Sequence, residues 1–267
     1  MLLNVTHTTT YTFEQPVRYG LQQLRLTPKS RIGQNVVNWS MNISGGQLEA
    51  EFDDHHANVV SLISFDAGTN EITITCEGEI ATEDQAGVVG KQKGCIPLWL
   101  FQRSTELTRA TSNVRKLTKN LRDDFDDEIA LLHALSTRIL EAVPYETGTT
   151  HSATSADAAM TNGYGVCQDH AHIFLAATRA MGFPARYVSG YLRMDDRTQQ
   201  DATHAWAEAH VEGIGWVGFD VSNSISPDDR YVRVATGLDY REAAPISGVR
   251  FGAGEETLKV DVTVQEQ

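Results

Sequence analysis

The chain has 267 residues, 41% of them hydrophobic and 21% charged, and carries 35 acidic residues against 22 Lys and Arg for a formal net charge of −13. It is long enough for one large domain or two modest ones with a real core, and its acidity, with no basic stripe, argues against a nucleic-acid backbone as partner. The amino terminus MLLNVTHTTTYTFEQPV turns polar after Leu3 without a positive leader, and no apolar run approaches ~18 residues, so neither export nor a membrane is expected and the expected setting is cytoplasmic.

Residues 1 to about 85 alternate as strands do, as in Thr10-Tyr11-Thr12-Phe13, Gln22-Gln23-Leu24-Arg25-Leu26 and Glu71-Ile72-Thr73-Ile74-Thr75. Gly45-Gly46 and Asp66 to Asn70 read as hairpin turns. An antiparallel, sandwich-like β domain over residues 1–95 is expected, followed by an α+β unit over 96–267.

Helical patterns begin after Pro97, across Ser104 to Arg122 and again from Asp124 to Val143, where Leu132, Leu135, Ile139 and Val143 share a face and Pro144 stops the run. The acidic group Asp123, Asp124, Asp126, Asp127 and Glu128 could offer oxygen ligands to calcium, but fits better as the capped start of that helix. Glu146 to Ser155 is polar and reads as an exposed loop, and Asp157 to Met160 as a short turn of helix. Cys167 to Met181 is free of Gly and Pro and apolar on several sides, which predicts a helix of about four turns buried all round. Strands are expected at Ala185 to Arg193, His204 to Val211, Trp216 to Val221, Arg230 to Val234 and Thr257 to Val264, with an irregular stretch before the last.

Of the three cysteines, Cys76, Cys95 and Cys167, only one has chemistry around it; an odd number without an export signal points to reduced thiols. In GYGVCQDHAHIF, Gly163 to Phe174, Cys167 opens the helix, where free N–H groups and the positive end of the helix dipole favour the nucleophilic thiolate. Gly163 and Gly165 leave room there for a substrate carbonyl. Cys76 and Cys95 read as small apolar packing residues.

Partners for Cys167 come from two strands. Residues 205, 207, 209 and 211 form one apolar face and 217, 219 and 221 another, so His204 and Asp220 both point to the opposite side. Glu212 to Gly215 reads as a hairpin turn: a three- or five-residue loop opposes residues whose numbers sum to 426, placing Asp220 opposite Trp206 and diagonal to His204, whereas a four-residue loop would separate them. Cys, His and a carboxylate together suit acyl transfer, with thiolate as nucleophile, His as base then acid, and the carboxylate fixing the imidazole tautomer. Cys167, His170 and His172 could instead suggest a metal, but residue 172 lies well round the helix and no paired ligand motif supports them, so neither metal nor cofactor is expected.

Three runs, GYGVCQDHAHIFLAATRAMGFPARYVSGYL, THAWAEAHVEGIGWVGFDVSN and VPYETGTT, resemble bacterial members of the transglutaminase-like superfamily, and THTTTYTFEQPV with LRLTPKS resembles the β domain that precedes their core. The resemblance implies a papain-like, transglutaminase-like core in which a helix bearing Cys167 faces an antiparallel sheet carrying His204 as base and Asp220 as orienting acid. It departs at Asp220, which is followed by Val-Ser where Pro-Thr would be expected, putting the local loop shape in question. Tyr145, Tyr164 and Trp206 are candidates to line the substrate or oxyanion site, and the partner implied is a peptide or protein substrate.

Amide hydrolysis by a cysteine peptidase or amidase is the favoured reaction, with glutamine–amine transfer or a non-catalytic binding module on the same fold as alternatives. The polar segment MDDRTQQD, Met194 to Asp201, reads as a solvated connection that could instead rim the cleft and, through Asp195, Asp196 and Asp201, favour cationic substrates.

Overall fold

The computed structural model describes residues 1–92, 96–148, 150–252 and 254–267; Cys95 and Thr149 therefore lie outside the described residues. The amino-terminal half contributes β1 (Leu2–Phe13), β2 (Tyr19–Leu24), β3 (Gln34–Ser44), β4 (Gly46–Asp53), β5 (Val59–Phe65), β6 (Glu71–Thr82) and β7 (Val88–Gly90). After a short 3-10 turn come α1 (Ser112–Leu117), α2 (Leu121–Asp124), α3 (Glu128–Ala142), α4 (Ala156–Asn162) and α5 (Cys167–Ala180). Then follow β8 (Ala185–Leu192), β9 (Gln199–Gln200), β10 (His204–Val211), β11 (Gly215–Phe219), β12 (Tyr231–Gly237), α6 (Tyr240–Ala243), β13 (Ile246–Phe251) and β14 (Glu256–Glu266).

The strands form three sheets, ordered β3-β6-β1-β14-β9, β13-β2-β5-β4 and β12-β8-β10-β11-β7, whose pairings are antiparallel. The expected α+β class holds: antiparallel β-sheets first, then helices on an antiparallel sheet. The first two sheets enclose Phe13, Leu24, Ile63, Ile72, Ile74 and the buried Cys76, the inward members of alternating strands. The long strands continue beyond this core, and Leu3, Val5, Ile80, Val262 and Val264 pack on Tyr191, Val232 and Val234 of the third sheet.

Three details of the sequence reading change. Gly45 and the Asp66 to Asn70 turn do not close hairpins within one sheet: each carries the chain from one sheet to the other, because β3 and β6 share one layer and β4 and β5 the facing one. Ser104 to Arg122 is not a single helix, since Asn120 takes a left-handed conformation (φ 62°) between two short helices. The stretch before the last strand is not irregular either, as it holds α6 and β13.

Nor do the sheets divide at residue 95. β7 pairs with β11 of the third sheet, while β13 and β14 return to pair with β2 and β1. The return has a physical reason: β1 would otherwise expose an unpaired edge, and β14 covers it in register from Leu3↔Glu266 to Phe13↔Glu256.

Around α5 the packing follows the sequence. Residues 169–179 are all buried, enclosed by Leu131, Leu135 and Ile139 of α3, Ala156 and Ala159 of α4, and the sheet face formed by Ala205, Ala207, Ala209, Val217 and Phe219. The acidic segment before α3 acts as a cap, with the Asp127 carboxylate accepting the Ala130 N–H at 2.9 Å.

Candidate active site

Cys167 is the first residue of α5 and is half-buried. Its backbone N–H, in the first turn, has no carbonyl within the helix to receive it. Two residues on, the buried Asp169 folds back to cap the same turn, its Oδ2 accepting the Val166 N–H at 2.9 Å and the Thr150 hydroxyl at 2.7 Å. Burial raises the Asp169 pKa above the ordinary carboxylate value, with those hydrogen bonds opposing it.

The two glycines of the motif have local backbone and packing roles. Gly163 ends α4 in a left-handed conformation, φ 76°. Gly165 lies so close to Asp169 that an added Cβ would fall 2.8 Å from the Asp169 Cβ.

The turn between β10 and β11 meets the demand made of it. Ala207 pairs with Phe219 and Val211 with Gly215, leaving a three-residue loop in the register that sets Asp220 beside His204. His204 Nε2 donates to Asp220 Oδ2 at 2.6 Å, and both side chains are buried. Burial alone would lower the His204 pKa; the Asp220 carboxylate and the Cys167 thiol, each through charge and hydrogen bonding, push it up to about 10. Asp220 is held below the usual carboxylate range: burial opposes its ionisation, but the His204 charge and the hydrogen bonds of His204, Asn223 and Tyr231 outweigh it. His204 heads its strand and Cys167 heads its helix, so the two meet at the ends of their elements rather than across packed faces.

Sequence reasoning missed the donors that fix Asp220. Tyr231 OH donates to Oδ2 at 2.7 Å, as does Asn223 Nδ2 at 2.7 Å, and the Asn223 backbone N–H reaches Oδ1 at 3.3 Å. Asn223 was within reach of a sequence argument, because an Asn three residues after an Asp in a turn commonly closes on it. Tyr231 was not, since only the pairing of β12 with β8 brings it here. The Val-Ser departure after Asp220 is accommodated: the Asp220 N–H bonds Ile225 O at 2.9 Å, closing the loop, and the Ser222 hydroxyl donates to His170 Nδ1 at 2.8 Å.

His170 and His172 are both engaged away from Cys167. His170 Nε2 donates to Val143 O at 2.7 Å, and burial lowers its pKa. His172 Nε2 accepts the Tyr240 N–H at 3.2 Å, with burial lowering its pKa to about 3.

The other three candidates separate. Tyr145 is 49% exposed and lines a cleft of about 600 Å³ with His204, Ser222, Asn223, Met194 and Tyr231. Trp206 does not line that cleft: it is buried, stacks on the His204 ring with centroids 6.2 Å apart, and meets Tyr231 edge-on. Tyr164 is likewise absent from its lining.

Met194 to Arg197 of the 194–201 segment do rim the cleft, but the two acids among them are matched. Asp195 pairs with Arg193 at 2.7 Å and Arg230 at 3.5 Å, and Asp196 with Arg197 at 3.1 Å. Nor is it only a solvated connection, since Gln199 and Gln200 form β9 against β14.

Residues 3–81 match the bacterial transglutaminase-like N-terminal region and residues 114–221 the transglutaminase-like superfamily core. An uncharacterized protein of Mycobacterium leprae is 28% identical, over 98% of each chain. An uncharacterized Mycobacterium tuberculosis protein is 26% identical, over 97% of this chain and 90% of its own. The crystal structure of a proposed cysteine protease from Cytophaga hutchinsonii superposes with a TM-score of 0.78 at 23% identity, covering 100% of this chain and 91% of that one. Among the described residues no helix is long and apolar enough to cross a membrane. With residues 3–81 and 114–221 matched and the expected core fold present, the chain carries a transglutaminase-like superfamily core preceded by the bacterial transglutaminase-like N-terminal region.

Proposed function

We propose that the protein is a thiol-dependent amidase or peptidase acting through Cys167, His204 and Asp220. The observation that carries the reading is the buried 2.6 Å His204–Asp220 contact beside a cysteine at a helix start, in which Cys167 and Asp220 both favour a charged imidazole. In such a site the thiol proton passes to His204 Nδ1, the ring nitrogen that Asp220 leaves free, and the sulfur becomes a thiolate.

The thiolate attacks an amide carbonyl carbon, and the carbonyl oxygen takes the negative charge. The Cys167 backbone N–H is aimed to receive that oxyanion. His204 returns its proton to the departing amine, the C–N bond breaks, and a thioester remains. Water, losing a proton to His204, then attacks the thioester; release of the thiolate gives the carboxylic acid. Asp220 holds the imidazole orientation throughout, and Tyr145 and the paired residues of the 194–197 rim form the walls along which a peptide or protein substrate lies.

A primary amine in place of water would make the same thioester the intermediate of a transglutaminase. Brief iodoacetamide treatment near pH 6, then incubation of untreated protein with a casein-derived peptide mixture and a primary amine, tests both. Selective Cys167 labelling with cleaved peptides supports hydrolysis, while amine-tagged peptides assign transfer. An unlabelled Cys167 with unchanged peptides would leave a binding module and overturn catalysis.

A further inference from the structure

His55 and His56 sit on the turn between β4 and β5, far along the chain from Glu242 on α6. The fold nevertheless brings one ligand-type atom of each of the three within 4.8 Å of the others. We propose that His55, His56 and Glu242 form a binding site for a divalent transition metal ion of the zinc type, which fastens the amino-terminal β-sandwich to α6.

The donor set has the composition zinc prefers when it keeps an open position, two imidazoles and one carboxylate. His56 and Glu242 are already at contact distance, Nε2 to Oε2 2.7 Å, and the two imidazole rings lie against each other with centroids 4.2 Å apart. The His56 side chain is only 1% exposed, yet its Nδ1 is buried with no hydrogen-bonding partner, so hydrogen bonding alone leaves the ring half satisfied.

His56 Nε2 and the Leu238 N–H both donate to Glu242 Oε2, the latter at 2.7 Å, which orients the carboxylate. His55 is exposed and Glu242 about one-third exposed, leaving an approach from solvent for the ion and for a water in the fourth position.

The turn that presents the histidines is held independently of any metal. Asp54 Oδ1 accepts the His56 and Asn58 N–H groups at 2.9 Å each, and the Asn58 amide spans to β12 through Thr236 N at 2.8 Å and Thr236 O at 2.7 Å. Both sides of the site are therefore in place before an ion arrives, so little ordering opposes binding.

The test uses the full chain carrying Cys167→Ala, which removes the accessible thiol as a competing ligand. After chelator treatment and dialysis it is titrated with Zn²⁺ by calorimetry and with Co²⁺ by visible absorption, and its thermal midpoint is followed. One Zn²⁺ per chain with micromolar or tighter affinity, tetrahedral-type Co²⁺ absorption, and a midpoint raised by roughly 5 °C at a hundredfold excess over Kd are expected.

His55→Ala, which removes an exposed ring, and Glu242→Gln should each weaken Zn²⁺ binding at least tenfold while keeping the far-UV circular dichroism of the parent. No stoichiometric binding by the parent, or binding unchanged in both variants, overturns the site. A drop in midpoint for Glu242→Gln without any Zn²⁺ binding by the parent would reduce the cluster to a hydrogen bond.

Discussion

Replacing Asp220 by Asn tests the electrostatic core of the site. The carboxylate accepts from His204 Nε2, Tyr231 OH, Asn223 Nδ2 and the Asn223 N–H. An amide there can accept at one end only, and its NH₂ must face groups that are themselves donors. The relief open to it is donation to His204 Nε2, which moves the imidazole proton to Nδ1, where it blocks transfer from the thiol. The raise of His204 from its ordinary 6.5 to about 10 corresponds to roughly 5 kcal/mol in favour of the imidazolium. If Asp220 supplies about half, its loss withdraws about 2–3 kcal/mol and lowers the charged-pair population by roughly one to two orders of magnitude.

Alkylation of Cys167 by iodoacetamide reads that population without a known substrate, followed by intact mass and located by peptide mapping. Cys76 serves as an internal control, since it is wholly buried and burial pushes its thiol up to about 12. At pH 6.5 the variant should react about 10–100 times more slowly than the wild type, with a rate that climbs with pH as an ordinary thiol's does. A folded Asp220→Asn protein alkylated within threefold of the wild-type rate at pH 6.5 would refute the reasoning.

Tyr231→Phe removes one of the donors on Asp220 and should slow alkylation roughly tenfold while leaving the thermal midpoint nearly unchanged. Glu208 is fully buried between Arg186 and Arg233, at 2.6 Å from each; Glu208→Gln strands those guanidiniums and should cost about 3 kcal/mol in urea unfolding. Gly165→Ala drives a methyl group into Asp169 and should lower stability by ~1–3 kcal/mol, with slower Cys167 alkylation. The His204 pKa is raised in the folded state, so its stabilising contribution is full below about pH 6.5 and is lost as pH rises toward about 10; the Asp220 pKa is lowered, so its contribution is lost only in acid. The midpoint difference between wild type and His204→Gln, measured by calorimetry from pH 5 to 10, should therefore shrink steadily above pH 6.5, and a difference that grows instead would contradict the charged pair.

What the sequence alone determined is local in origin. Freedom from Gly and Pro placed α5, and alternation turned His204 and Asp220 away from the apolar faces of their strands, each from neighbours within a few residues; the loop between those strands was open at three, four or five residues until the structure set it at three. The tertiary structure decided what depends on distant segments. β14 was free to join either half until the open edge of β1 claimed it, and the turns at Gly45 and Asp66 read the same whether they close a hairpin or cross between sheets. Tyr231 reached Asp220, and Glu242 reached His55 and His56, only because separate strands and turns packed together. Such contacts are selected by the burial of whole faces and edges, and no spacing along the chain records them.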